Sequence, residues 1–226
     1  MRIHFENALE NLKKEIIKLG GMVEDNVKDA VRSFLERDKA LAQDIIKRDD
    51  EIDQMEIAIE EECLKILALY HPVASDLRFV IVVLKINNDL ERIGDLAVNI
   101  AKKSRWLAER EQPVDLSDVY RKMAAKTTAM LKEALDSLVK RDPILADAVI
   151  AADKEVNKMK RQIRKLVISA YGSGTNNPSE MMFRYYAVAR NLENIADLAT
   201  SIAEEVIYLE TGKIIRHSHL INELKE

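Results

Sequence analysis

The chain has 226 residues, a formal net charge of -4 and a single cysteine, with only six glycines and four prolines. That charge balance supplies no basic stripe of the kind a nucleic-acid binder carries, so nucleic acid is excluded as an expected partner. One cysteine excludes an internal disulfide framework and suits a reducing compartment.

Scarce glycine and proline, 5% aromatics and long Ala, Leu, Ile, Glu and Lys runs predict an all-α fold. The periodicity places six long helices at about 3–36, 38–70, 75–109, 116–140, 143–171 and 177–211. Met1–Glu6 leads directly into the first, so no secretory signal is expected. Gly20-Gly21 lies inside that helix, where each glycine costs about 1 kcal/mol against alanine, which predicts a kink or a close helix approach. Asp38 is the expected N-cap of the second helix. Its Ile45, Ile52, Ile59 and Ile66 recur every seven residues, a packing seam between long helices.

Ser75 is the expected cap of the third helix. Phe79–Leu84 has strand-like propensity, but its counterpart Met181–Tyr186 reads as helix, so it is taken as a helix apolar nearly all round, buried between bundles or subunits. It is also the longest strongly apolar run, six residues against about 20 needed to span a bilayer. The expectation is therefore a cytoplasmic protein that meets a membrane only peripherally, through partners. The linker Glu111–Asp115 divides the chain into bundles at 1–112 and 113–226. Asp142 with Pro143 opens the fifth helix, and Asn177-Pro178-Ser179-Glu180 supplies cap, first-turn proline and capping-box glutamate for the sixth.

The two halves repeat each other. Leu90-Glu91-Arg92-Ile93-Gly94-Asp95-Leu96-Ala97-Val98-Asn99-Ile100-Ala101 returns as Leu192-Glu193-Asn194-Ile195-Ala196-Asp197-Leu198-Ala199-Thr200-Ser201-Ile202-Ala203, eight of twelve positions being identical. Arg37-Asp38-x-x-Leu41-Ala42 returns as Arg141-Asp142-x-x-Leu145-Ala146. Asp49, Glu51, Met55 and Ile59 return as Asp153, Glu155, Met159 and Ile163. A repeat of this length predicts two tandem, pseudo-symmetric three-helix bundles.

Both copies keep acids four residues apart. At about 100° per residue, Asp49, Asp53, Glu56 and Glu60 fall within roughly 60° on the second helix, with no Lys or Arg of that helix among them. Asn88, Glu91, Asp95 and Asn99 span roughly 80° on the third, closed by Lys102. Like charges so placed repel, and hard cations take clustered oxygen ligands. Asp49, Asp53, Glu91, Asp95 and Asn99 are thus candidate metal ligands in the first half; the alternative is a solvated acidic face neutralised by neighbouring helices. In the second half Asp153, Glu193 and Asp197 remain, but Asn157, Lys160 and Arg164 replace the other acids. Internal salt bridges are expected to stand in for a metal there. His4, His71, His217 and His219 lack ligand spacing, and Cys63 and Trp106 read as packing residues. No glycine-rich phosphate loop, Ser/His/Asp set or CxxC is present.

Ser75-Asp76-Leu77-Arg78-Phe79, the run from Lys85 to Asp95, and the run from Ala189 to Asp197 together closely resemble the PhoU family of phosphate-signalling regulators. Glu205-Val206-Ile207-Tyr208-Leu209 followed by Thr211-Gly212-Lys213 resembles that family's C-terminal signature. The resemblance implies a homodimer and a non-enzymatic negative regulator of the phosphate-starvation response. It implies as partners the ATPase subunit of the phosphate ABC transporter and the sensor histidine kinase. It further implies metal clusters (iron, or manganese, nickel or zinc) at Glu91, Asp95, Glu193 and Asp197, faced by Asp49, Asp53 and Asp153. The chain departs from the family at Leu198, Thr200 and Ser201, where many members carry His, Glu and Asn. A ferritin-like di-metal oxidase also uses carboxylates on long helices, but it needs Glu-x-x-His, and no histidine here follows a glutamate by three. A metal-independent helical interaction module is the remaining alternative.

Overall fold

The computed structural model describes residues 2–110, 115–171 and 178–215, with the side chains of Arg2, Pro178 and Ser179 left aside. All regular structure among them is helical: α1 Arg2–Glu36, α2 Lys39–Tyr70, α3 Ala74–Leu107, α4 Ser117–Lys140, α5 Pro143–Tyr171 and α6 Pro178–Thr211. Residues 111–114, and with them the expected domain boundary, lie outside the described residues, as do Asn177, His217 and His219.

Both halves turn from first to second helix in the same way. Arg37 and Arg141 sit at φ 58° and 53°, in the left-handed region. The next amides, of Asp38 and Asp142, then reach back to the Ser33 and Ser137 carbonyls at 3.0 and 2.9 Å, satisfying acceptors left over at the helix end. Asp38 Oδ1 accepts from the Leu41 amide at 2.9 Å, and Asp142 Oδ1 from those of Ile144 and Leu145 at 2.9 and 3.1 Å, so both expected caps are present. The buried Ser33 and Ser137 hydroxyls donate to Ala30 and Ala134, which extends the repeat to Ala-x-x-Ser-x-x-x-Arg-Asp.

Ser75 is not the cap of α3. That position belongs to Val73, extended at φ -129°, whose side chain makes no cap hydrogen bond. Its carbonyl accepts from the Asp76 and Leu77 amides, and Ala74 takes φ 48°. The first-turn acid Asp76 supplies the negative charge that favours a helix start.

Helices α1, α2 and α3 contact one another, as do α4, α5 and α6; α3·α6 and α1·α4 join the two sets. The α3·α6 seam is antiparallel. Lys85 meets Glu205 near one end, Asp95 and Asp197 line one cleft at the middle, and Trp106 lies under Arg184 at the other end. Val80, Val82 and Val83 of the apolar run are fully buried on α3, which packs against α1, α2 and α6, so this chain itself covers them. Gly20 marks the α1·α4 approach: a Cβ there would stand 2.8 Å from Leu135 Cδ2.

Candidate functional site

The isoleucine seam of α2 turns its buried edge to α3 and brings the flanking acids with it. Gly94 permits the approach: a Cβ there would lie 3.4 Å from Ile52 Cγ2 and 3.5 Å from Asp49 Oδ1. Burial, then the charges of Asp53 and Asp95, push the Asp49 carboxyl up to about 6, against the pull of Lys102. Asp53 is raised by burial and then by Asp95 and Asp50. Glu91 is raised by burial and then by Asp95, Asp53, Glu56 and Asp49. Glu56 is raised by burial, Glu60 and Asp53.

Five acids of two helices therefore share one field. Among the described residues none of Asp49, Asp53, Glu91 and Asp95 makes an ion pair with a Lys, Arg or His. Donors of this kind suit a hard or borderline cation. Among the described residues no three His, Cys, Asp or Glu stand in an arrangement that could hold a metal ion.

Asn87 was not singled out by the sequence pattern. It is 1% exposed on α3, and its amide donates to the Glu56 carbonyl at 2.9 Å and to Glu56 Oε1 at 3.3 Å, tying α2 to α3 beside the arc. Its own Oδ1 has no hydrogen-bond partner. The available signal was its place on the apolar stripe of α3, four residues after Val83 and three before Leu90.

The second half carries its own counter-charge. Lys160 pairs with the buried Glu193, and Asn157 donates to Asp153 at 2.7 Å. Burial, then the charges of Glu193 and Asp153, push the Asp197 carboxyl up to about 6, against the pull of Lys160. An ammonium occupies the Glu193 carboxylate and the Asn157 amide one oxygen of Asp153, so this donor set does not fit a metal ion.

Asp95 and Asp197, expected in separate bundles, open onto one cleft of about 480 Å³ between α3 and α6. Its walls are repeat equivalents: Arg92, Asp95, Leu96 and Asn99 face Asn194, Asp197, Leu198 and Ser201. Asn99 thus belongs to the cleft, and its carbonyl accepts from Lys103 Nζ at 3.1 Å. Cys63 is buried, with its thiol pushed up to about 12 by burial and then by Glu62 and Glu60, which keeps it unreactive. No helix of the described residues is long and apolar enough to cross a membrane.

The profile of the PhoU domain matches this chain twice, over residues 16–104 and 120–206. The chain is 36% identical over 211 residues to a phosphate-specific transport system accessory protein PhoU homolog of Thermotoga maritima, covering 93% of this chain and 90% of that one. The phosphate-specific transport system accessory protein PhoU of Escherichia coli is 32% identical over 215 residues, covering 94% and 88%. The crystal structure of PhoU from Pseudomonas aeruginosa superposes with a TM-score of 0.88 at 36% identity, covering 92% of this chain and all of that one. The phosphate transport system regulatory protein PhoU from Streptococcus pneumoniae gives a TM-score of 0.85 at 30% identity, covering 93% and 98%.

Proposed function

The chain belongs to the PhoU family, and from that premise we propose that it is a non-enzymatic regulator of phosphate uptake that holds down the phosphate-starvation response. In this reading a cytoplasmic homodimer links the ATPase subunit of the phosphate ABC transporter to its sensor histidine kinase. The observation that carries it is similarity along nearly the whole chain, in both repeats, to proteins named for the phosphate-specific transport system. A protein without a catalytic set acts by binding the active and inactive states of its partners differently. Rigid, well-packed helices suit that task, because they present the same faces to both partners. A deletion strain is expected to express phosphate-starvation genes in high phosphate; normal repression there, with no second copy of the gene, overturns the reading.

The first-half arc supports a metal-dependent form of this function. Asp49, Asp53, Glu91 and Asp95 would hold iron or, behind it, manganese, nickel or zinc. The metal would supply positive charge that binds α2 to α3. Glu91→Gln with Asp95→Asn should abolish metal content on elemental analysis while leaving the metal-free fold stable, because like charges are removed. Full metal content in that variant means other ligands. Metal-free protein that still regulates favours the metal-independent interaction module.

A further inference from the structure

The pseudo-twofold that relates α3 to α6 also relates the two ends of their seam, and those ends differ in charge. At one end Lys85 Nζ pairs with the buried Glu205 at 3.1 Å and stands 5.3 Å from the centre of the Tyr208 ring. Asn88, Asp89 and Ser201 line a cleft of about 400 Å³ with this pair. This end is neutralised from within the chain.

At the other end the repeat places different residues on the same frame. Lys103 takes the place of Glu205, Arg190 that of Asn88, Asn191 that of Asp89, and Trp106 that of Tyr208. One acid is thereby exchanged for a cation, a second acid for a neutral donor, and an asparagine for a second cation. Lys103 is half-buried and donates to the Asn99 carbonyl at 3.1 Å; among the described residues no carboxylate pairs with it. Burial disfavours its charge first, followed by Arg184, Arg190 and Lys102. Arg184 is bound by Glu180 at 2.7 Å and lies 4.1 Å from the centre of the Trp106 ring, which Arg110 also covers at 3.5 Å. Trp106 thus fixes a guanidinium at the rim.

A second, independent observation falls beside Arg190. Asn191 is 6% exposed and its Nδ2 has no acceptor. A buried donor left unmade is costly, and such groups in folded proteins ordinarily find a partner. The Asp89 equivalence sets Asn191 on the same side of the seam as Lys103 and Arg190.

We propose that this end of the α3·α6 seam, built from Lys103, Arg190 and Asn191, binds a phosphate-class oxyanion. A tetrahedral dianion offers acceptors to an ammonium, a guanidinium fork and an amide at once, whereas a single carboxylate matches one fork. The anion replaces the charge that Glu205 supplies at the opposite end. It arrives as inorganic phosphate or as a phosphomonoester.

Calorimetric titration of the purified full-length protein tests this, with inorganic phosphate, glycerol phosphate and chloride as separate titrants. One saturable site per chain for a phosphate titrant and none for chloride is expected, and the tighter phosphate names the source. Lys103→Met with Arg190→Asn should weaken binding by at least about tenfold. Its melting temperature should be unchanged or higher, because mutually repelling cations are gone. Lys103→Glu installs the opposite end's acid beside Arg190 and should fold and lose binding as well. Lys132→Ala, which touches only the exposed Asp136 pair, should bind as the unaltered protein does. No saturable phosphate binding below about 10 mM, or equal binding by the Lys103 variants, overturns the proposal. The measurement involves no partner protein, so it stands or falls apart from the deletion phenotype.

Discussion

The two carboxylate arcs occupy the same place on the same scaffold and resolve their repulsion differently. In the second half Lys160 pairs with Glu193, and Asn157 donates to Asp153. In the first half Glu56 stands where Lys160 stands, and Asp49, Asp53 and Glu91 are raised by burial and by neighbouring acids, Asp95 among them, with no cation paired to them. A repeat of backbone is thus not a repeat of chemistry. Three differences on that face, Asn157 for Asp53, Lys160 for Glu56 and Arg164 for Glu60, separate an arc with its own cation from one without.

The sharpest way to break the comparison is to remove the internal cation. Lys160→Met leaves Glu193, whose side chain is 12% exposed, buried without its partner. The expected loss is roughly 3 kcal/mol, read as a lower denaturant midpoint at unchanged slope. The reciprocal change, Glu56→Lys, places a cation opposite Glu91 in the first half. It should stabilise the metal-free protein by about 1 kcal/mol and abolish divalent-metal content. A destabilised Glu56→Lys protein would show that the two arcs are not interchangeable.

Acid sharpens it further. Asp49 and Asp197 both keep a proton up to about 6, above the ordinary 3.8. Between those values the folded state binds more protons than the unfolded one. The contribution of these groups is therefore fully present below about 4 and lost as pH rises through about 6. The metal-free protein should melt several degrees higher at pH 5 than at pH 7. Asp197→Asn should flatten part of that slope, and a bound divalent cation the Asp49 part. Equal melting temperatures at the two pH values would mean that these carboxyls are not held up.

Much of the scaffold was legible because its signals are local. Asp38 and Asp142 cap helices through bonds to amides a few residues on, and isoleucines every seven residues mark the α2 seam. Ser75 misled because it is a good cap in the wrong place: the chain enters α3 at Val73, through a left-handed Ala74. The sharing of one cleft by Asp95 and Asp197 was not legible, since it depends on α3 crossing α6 in antiparallel register, a contact between residues about a hundred apart. The acid arcs themselves could be read from helical angles alone. That the second half carries its own cations could be read there too; that Lys160 takes Glu193 as its partner required knowing that α5 faces α6.

The smallest expected effect tests whether the repeat is equivalent where it looks most so, at the turns. Arg37 and Arg141 both hold a left-handed backbone at the residue after a helix, where glycine has no Cβ to strain. Replacing either with glycine relieves that strain and also loosens the unfolded chain, so the gain is limited to about 0.5–1 kcal/mol. Arg141 differs in one respect: its guanidinium stands 3.7 Å from Glu210 with the arginine side chain 52% exposed. An exposed pair at that distance contributes a few tenths of a kcal/mol at most. Arg37→Gly should accordingly stabilise slightly more than Arg141→Gly at low salt, and the two should converge as salt screens the Glu210 pair. If Arg37→Gly instead destabilises, its side chain makes a contribution that the turn geometry does not account for, and the two turns are equivalent in backbone alone.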